Sequence, residues 1–113
     1  MKTLYLLRHA KSSWSDATLS DRLRPLNKRG RNAASQVGRF VHSRGLVPDL
    51  VLCSPATRTR ETLQRMADEW DAAPPVRYEE GLYEFSAGSS YLSLVRAAPA
   101  DVGSLMLIGH NPT

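Results

Sequence analysis

Four short apolar runs of strand length occur along the chain. They predict strands at Thr3–Leu7, Leu50–Cys53, Val76–Tyr78 and Leu105–Ile108. Val76–Tyr78 is weaker than the other three. The other runs are continuous rather than alternating, a pattern typical of strands that are buried on both faces of a mainly parallel sheet. We therefore expect a buried, mainly parallel sheet.

Residues 28–44 have the periodicity of an amphipathic helix. Asn27 is placed to cap the start of this helix, and Gly45 is placed to end it. The apolar positions follow i, i+4, i+7, i+8 spacing and predict one apolar face. They are Ala33, Val37, Phe40 and Val41.

Two further segments predict helices. The second helix is expected over residues 55–70, with Ser54 as its N-cap and Pro55 at its first position. A third, poorer helical segment covers residues 89–98, and residues 10–26 are interpreted as a loop. The apolar stripe of the second helix consists of Leu63, Met66, Ala67 and Trp70.

Strands that alternate with helices indicate an α/β sandwich, and no linker or repeat divides residues 1–113, so we expect one domain. In such folds, ligands bind beyond the carboxyl ends of the strands. Three of the four predicted strands end directly in reactive residues, which are Arg8-His9, Ser54 and Gly109-His110. We expect these side chains to converge at one edge of the sheet.

The pair Arg8-His9 indicates phosphoryl chemistry. A histidine with one unprotonated ring nitrogen can attack phosphorus and form a covalent phosphohistidine. A lone histidine is more often structural or exposed, but the adjacent Arg8 and the position at a strand end favour a nucleophile. His110 follows Gly109, and opposite His9 it would stabilise charge on the transferring phosphoryl oxygens.

Arg58 is the second candidate for binding phosphate. Ser54, Arg58 and Thr62 are spaced i, i+4, i+8 and are predicted to share one side of the second helix. The backbone N–H groups at a helix N-terminus favour a bound phosphate. We therefore place Arg58 in the phosphate pocket with Arg8 and His110. Ser54 is assigned to the cap and included among the phosphate-binding residues.

Charge is distributed unevenly along the chain. Residues 1–65 contain 13 Lys and Arg against 4 Asp and Glu, whereas residues 66–113 contain 2 against 7. Arginine suits bidentate recognition of phosphate, either on a nucleic acid or on a small phosphorylated group. Aromatic residues make up only 7% of the chain and no recognition motif accompanies the charge, so we expect no nucleic-acid partner.

Several other classes of protein are disfavoured. No apolar run approaches membrane-spanning length, the apolar start is too short for a signal peptide, and the single Cys53 fits a reducing compartment, so we expect a cytoplasmic protein. Four residues separate Cys53 from Arg58, not the five of a cysteine-phosphatase loop. A zinc site would need His and Cys ligands, and no two of these residues are closely spaced in the sequence. We therefore expect neither metal nor cofactor. The ligands considered are His9, His42, His110 and Cys53.

Four stretches carry a family resemblance: LYLLRHAKSSW, RPLNKRGRNAA, LVLCSPATRTRET and LIGHNP, spread over residues 4–112. In their order and combination the chain resembles the histidine phosphatase superfamily, close to the branch of the bacterial phosphohistidine phosphatase SixA. The resemblance implies a three-layer α/β/α, phosphoglycerate mutase-like fold. It also implies His9 as the nucleophile, with a phosphate pocket made of Arg8, Arg58 and His110.

Glu84 is assigned through the resemblance alone. Many relatives place a glutamate as proton donor at the position that Leu82-Tyr83-Glu84 occupies here, although SixA-like members lack this acid or use it inconsistently. A surface carboxylate is the alternative.

The family also normally continues past the Gly-His motif with another helix and strand, which this sequence lacks. Either the sequence is a part of the protein, or a shortened member covers the exposed surface by forming a homodimer.

The resemblance and the residues together lead to one functional expectation. The chain should be a metal-independent phosphatase that hydrolyses phosphohistidine on a signalling protein through a covalent intermediate on His9. The first alternative is hydrolysis of a small phosphate ester by the same site. The second is a phosphate-binding module without catalytic activity.

Overall fold

The computed structural model describes residues 3–8, 13, 15–16, 18–83 and 89–110 of the chain. Two short 3-10 turns, at Asp21–Leu23 and Glu80–Leu82, were not anticipated from the sequence. Within the described ranges, no helix combines the length and the apolar character needed to cross a membrane. The strands and helices are, in chain order, β1 (Thr3–Arg8), α1 (Lys28–Ser43), β2 (Leu50–Cys53), α2 (Thr57–Ala67), β3 (Val76–Tyr78), α3 (Ser89–Ala97) and β4 (Ser104–Gly109).

All four predicted strands are present and form one parallel sheet in the order β1-β4-β2-β3. The first and last strands of the chain are therefore neighbours, with Leu4 of β1 opposite Leu105 of β4. The predicted α/β class and the parallel sheet are confirmed. Because the strands are parallel, their carboxyl ends lie along the same edge.

The prediction that the strands are buried on both faces is right only for the centre of the sheet. Every residue of β2 is buried, as are the residues of β4 after Ser104. In contrast, β1 and β3 are edge strands, and the Leu6 residue of β1 is 67% exposed. An edge strand has a neighbour on one side only, so an apolar sequence does not by itself ensure burial.

By its internal contacts, the chain divides into two compact units. The sheet unit comprises Met1–Arg8, Pro48–Pro55 and Pro74–Thr113, and the helical unit comprises His9–Val47 and Ala56–Ala73. The core of the sheet unit consists of leucines from β2, β4 and the second 3-10 turn, packed against apolar residues of α3. These leucines are Leu50, Leu52, Leu82, Leu105 and Leu107. A single domain over residues 1–113 stays a prediction.

Helix α1 begins where the sequence indicates and ends within one residue of the predicted position. The Asn27 side chain accepts a hydrogen bond from the Gly30 backbone N–H at 2.7 Å, as expected for an N-cap. Gly45 follows the helix with φ of 66°, a conformation that residues with a Cβ rarely adopt. The last helical residue is Ser43, one position earlier than predicted.

The predicted apolar face of α1 is wrong for three of its four members. Ala33, Val37 and Phe40 are exposed, while the buried positions are Gly30, Ala34, Gly38 and Val41. The reason is a close contact between α1 and α2. A Cβ at Gly38 would lie 2.6 Å from the backbone oxygen of Met66, so only glycine permits this approach. Small side chains therefore select the buried face, which the larger apolar residues do not mark.

Helix α2 starts later than predicted. Its N-cap position is occupied by Ala56 rather than Ser54, and no side chain caps the helix. Three of the four residues in the predicted apolar stripe are buried, namely Leu63, Met66 and Trp70. Trp70 lies beyond the end of the helix at Ala67, and its indole N–H donates to the Gly38 backbone oxygen at 3.0 Å.

Candidate active site

The carboxyl ends of β1, β4 and β2 lie side by side at one edge of the sheet. Arg8, the last residue of β1, is paired with Gly109 of β4, and His110 follows directly. The Ser54 backbone N–H donates to the Ile108 backbone oxygen at 2.9 Å, so the residue after β2 stays in register with β4. The structure thus brings Arg8, Ser54 and His110 to the same edge, with the Arg8 side chain exposed.

The side chains of Ser54 and His110 are joined by a hydrogen bond. The distance from Ser54 Oγ to His110 Nε2 is 2.9 Å, and the two residues are 0% and 8% exposed. Ser54 is therefore a partner of the imidazole, while the N-cap position of α2 belongs to Ala56. A hydrogen bond at one ring nitrogen restricts both the orientation and the tautomer of a histidine.

Two tyrosines that were not predicted as site residues also contact His110. The ring of Tyr83 meets the imidazole edge to face, with a centroid distance of 5.4 Å and an interplanar angle of 84°. The hydroxyl of Tyr91 accepts the His110 backbone N–H at 3.0 Å. We define the strand-end cluster as Ser54, Tyr83, Tyr91 and His110. Of its two tyrosines, only Tyr83 has a sequence signal, its place in the stretch Leu82-Tyr83-Glu84, because Tyr91 belongs to no motif.

A second cluster lies in the helical unit and is built from charges. The Arg58 side chain is only 4% exposed; its Nη1 donates to the Asp21 backbone oxygen at 2.7 Å and its Nη2 to Asp21 Oδ2 at 3.0 Å. Arg24 Nη2 lies 3.2 Å from the other oxygen, Oδ1, of the same carboxylate. We define the arginine cluster as Asp21, Arg24 and Arg58.

The first 3-10 turn is held at α2 by more than this ion pair. The Leu26 backbone N–H donates to Glu61 Oε1 at 2.8 Å, which fixes the segment that follows the turn. Because buried charges require partners, one carboxylate that is shared by two buried guanidinium groups stabilises both. Guanidinium groups recognise phosphate with the same kind of donors that bind this carboxylate.

Sequence reasoning found only part of the arginine cluster. Arg58 was predicted from its place in α2, and Arg24 begins the stretch RPLNKRGRNAA. Asp21 gave no signal, because a carboxylate is not expected among groups that bind phosphate. Thr62 does not contribute a free hydroxyl, since that group donates to the Arg58 backbone oxygen at 2.8 Å within the helix. The predicted line of three side chains along α2 is also wrong, because Ser54 precedes the helix.

Two predicted catalytic residues, His9 and Glu84, lie outside the described residues. His9 follows Arg8 in the sequence, and Glu84 follows Tyr83. The structure therefore places neither the predicted nucleophile nor the predicted proton donor.

The residues that were weighed for a metal site lie in different environments. His42 is exposed and contacts Asp71 Oδ2 at 3.2 Å, and Cys53 is buried with its thiol donating to the Ser54 backbone oxygen at 3.3 Å. In the part of the chain that the structure describes, no three His, Cys, Asp or Glu side chains form a group able to hold a metal ion.

Comparison with known sequences gives a consistent family. Residues 4–96 match the description "Histidine phosphatase superfamily (branch 1)". An uncharacterized chloroplastic protein of Arabidopsis thaliana is 36% identical over 118 residues, which cover 97% of this chain and 54% of that protein. An uncharacterized protein of Mycobacterium tuberculosis is 36% identical over 107 residues, which cover 95% of this chain and 64% of that protein. The chain thus spans between about half and two thirds of the length of these relatives.

A solved structure supports the same family. The crystal structure of a candidate phosphohistidine phosphatase SixA from Agrobacterium tumefaciens superposes with a TM-score of 0.90 at 37% sequence identity. The match covers 100% of this chain and 72% of that one. At this level of similarity the two chains share the fold of the superfamily.

Proposed function

The chain belongs to the histidine phosphatase superfamily, and on that premise we propose that it is a metal-independent phosphatase with His9 as its nucleophile. The observation that supports this proposal most is the meeting of strand ends in the sheet unit. Arg8 ends β1 beside the Gly109-His110 end of β4, and His9 is the next residue in the sequence. The same edge of a parallel sheet is where α/β folds bind ligands.

The proposed reaction has two steps. A ring nitrogen of His9 forms a bond to phosphorus, while the bond from phosphorus to the leaving group breaks and the leaving group takes up a proton. Water then attacks the phosphohistidine, which regenerates His9 and releases inorganic phosphate. In both steps the negative charge of the phosphoryl oxygens is stabilised by Arg8, Arg58 and His110, with Ser54 as a further hydrogen-bond donor.

The arginine cluster supports a role for Arg58 in binding an anion. Its guanidinium group is buried and donates to two oxygens of Asp21, one of the backbone and one of the carboxylate. We infer that a phosphoryl group shares these donors and takes over part of the charge compensation that Asp21 provides. Arg24, which contacts the same carboxylate, adds positive charge to that position.

The proposed substrate is phosphohistidine on a signalling protein, with a small phosphate ester as the alternative. A relative that is 37% identical is named as a candidate phosphohistidine phosphatase, which favours the first class. The proposed location is the cytoplasm, because the buried Cys53 fits a reducing compartment.

The nucleophile can be tested by trapping. Brief mixing with labelled phosphohistidine substrate should give an acid-labile, base-stable phosphoenzyme that is absent in His9→Ala, and EDTA should leave turnover unchanged. His42→Ala, which replaces an exposed histidine that contacts Asp71, is the matched control and should retain the phosphoenzyme. Normal turnover in His9→Ala would contradict the proposal. Binding of vanadate without any turnover in the wild type would favour a binding module instead.

Glu84 separates the two substrate classes. An alkyl phosphate expels a poor leaving group, so a positioned acid typically contributes about 10²–10⁴-fold to the rate. Imidazole, the leaving group of phosphohistidine, is a much weaker base than an alkoxide and needs little help. If Glu84 is the acid, Glu84→Gln should strongly slow the hydrolysis of alkyl phosphates and barely affect phosphohistidine. Large, equal losses on both substrates would contradict this argument.

A further inference from the structure

The hydroxyl of Tyr91 lies among three backbone groups from two separate segments. It accepts the His110 backbone N–H at 3.0 Å, and it lies 3.0 Å from the backbone oxygen of Leu82 and 3.3 Å from that of His110. Leu82 ends the second 3-10 turn, and His110 follows the last residue of β4. One side chain of α3 therefore contacts both segments.

The hydrogen-bonding capacity of a phenol determines what this contact does. A tyrosine hydroxyl has one hydrogen to donate, and it accepts through the oxygen. The acceptor side is taken by the N–H of His110, and the shorter distance indicates that the hydrogen is directed to Leu82. The two bonds are therefore complementary and link the end of β4 to the turn.

The close approach is built into β4 by glycine. A Cβ added at Gly109 would overlap the hydroxyl of Tyr91, so any other residue at this position would displace one of the two groups. The ring of Tyr91 packs against the leucine core of the sheet unit, a contact that phenylalanine would also make. What tyrosine adds is the oxygen beside the His110 main chain.

The imidazole of His110 contacts two other residues. Ser54 Oγ contacts Nε2 at 2.9 Å, and the ring of Tyr83 meets the imidazole edge to face. Since Tyr83 directly follows Leu82, the bond from Tyr91 to Leu82 also restrains the segment that carries Tyr83. Tyr91 thus acts on the His110 main chain directly and on its ring through Tyr83.

We propose that Tyr91 is a positioning residue, whose hydroxyl fixes the end of β4 and the second 3-10 turn relative to each other and thereby sets the place of the His110 imidazole. The role of that imidazole in catalysis rests on the proposed function. The restraint on its position does not, because every contact involved lies within the sheet unit. Small displacements of a catalytic group are costly, and about 1 Å can lower a rate by about 10²-fold.

The test compares Tyr91→Phe with Tyr5→Phe in the whole chain. Tyr5 lies on β1 and makes none of these contacts, so its variant controls for the loss of a phenol. Tyr91→Phe should lower kcat by about tenfold to hundredfold with KM within about threefold, because the effect is on geometry in the transition state. Without substrate, the NMR resonances of the His110 amide and imidazole should shift. Tyr5→Phe should match the wild type in all of these.

Two outcomes would overturn the proposal. One is a Tyr91→Phe protein with a lower Tm but with wild-type kcat and unchanged His110 resonances, which would make the hydroxyl merely stabilising. The other applies if Tyr91→Phe does not fold. In that case 3-fluorotyrosine at position 91, which keeps the shape but weakens the oxygen as an acceptor, should shift the His110 amide resonance, and an unshifted resonance would refute the claim. A wild type without phosphatase turnover would refute the proposed function alone, since the resonances would still report on Tyr91.

Discussion

The two clusters are organised on different physical principles. The strand-end cluster consists of hydrogen bonds and a ring contact among buried and half-buried groups at the end of a parallel sheet, as in the contact between Ser54 and His110. The arginine cluster consists of ion pairs around Asp21, whose side chain is 49% exposed. The first arrangement fixes positions, and the second concentrates positive charge. A phosphatase needs both, because the reacting groups must be aligned and the phosphoryl charge must be stabilised.

This difference predicts different responses to salt. Salt screens the half-exposed carboxylate of Asp21 more than the buried guanidinium groups of Arg24 and Arg58, and it affects hydrogen bonds between buried groups least. Changes in the arginine cluster should therefore have effects that depend on salt concentration, and changes in the strand-end cluster should not. Three substitutions, taken in order of expected effect, test this distinction.

Replacement of Arg58 should have the largest effect. Arg58→Ala should cost about 2–4 kcal/mol of transition-state stabilisation, the range for losing a charge-stabilising donor. Arg58→Lys should recover only part of this, because one ammonium group cannot reproduce the two contacts that Nη1 and Nη2 make with Asp21. The measurement is kcat/KM for both variants at low and high salt.

The control for Arg58 is a second arginine of the same helix. Arg65 lies in the last turn of α2 and is exposed, so Arg65→Ala removes the same charge without touching the arginine cluster. It should change kcat/KM by less than about threefold, as expected for a distant surface charge. Equal losses in the two alanine variants would mean that only the general positive field matters, and wild-type activity in Arg58→Ala would remove Arg58 from the site.

Two members of the strand-end cluster, Ser54 and His110, were predictable from the sequence because they directly follow β2 and β4, whereas Tyr83 and Tyr91 do not directly follow a strand. Parallel strands place their carboxyl ends at one edge, so the position of a residue after a strand already specifies where it lies. The partner of Ser54 was not predictable in this way. Both a helix cap and the imidazole of His110 are good partners for a serine hydroxyl, and the later start of α2 at Thr57 decides between them.

The arginine cluster and the helix packing were less predictable, because long-range contacts determine them. Nothing close to Asp21 in the sequence indicates that it meets Arg58, which lies 37 positions away. The buried face of α1 likewise depends on the approach of Met66 to Gly38, a contact between two helices. The spacing of apolar residues predicts an apolar face but does not determine which face another helix covers. Phe40 belongs to the predicted apolar face and is exposed.

Ser54→Ala should have an intermediate effect that does not depend on salt. The substitution removes the partner of a buried imidazole, which typically costs about 1–3 kcal/mol of stability, and we expect a loss of about tenfold in kcat. Ser54→Thr keeps the hydroxyl and should retain more activity. Ser35→Ala is the control, because it removes a serine hydroxyl that bonds to the Arg31 backbone oxygen on α1. A loss in Ser54→Ala that disappears at high salt would contradict the distinction between the clusters.

Asp21→Asn should have the smallest effect, and its direction is informative. The Asp21 backbone oxygen still holds Nη1 of Arg58, and an amide oxygen can still accept from Nη2, so mainly the negative charge is lost. A half-exposed ion pair contributes about 0–1 kcal/mol, which limits the change in kcat to about fivefold. Vanadate should bind more tightly at low salt, because the carboxylate no longer repels it, and the difference should vanish at high salt.

Asp16→Asn is the control for Asp21→Asn. The Asp16 carboxylate accepts hydrogen bonds from the Thr18 side chain and backbone, which hold the pKa of Asp16 below its usual value. If Asp21→Asn instead loses as much activity as Arg58→Ala, the carboxylate takes part in the chemistry, and the view of Asp21 as a counter-charge is wrong.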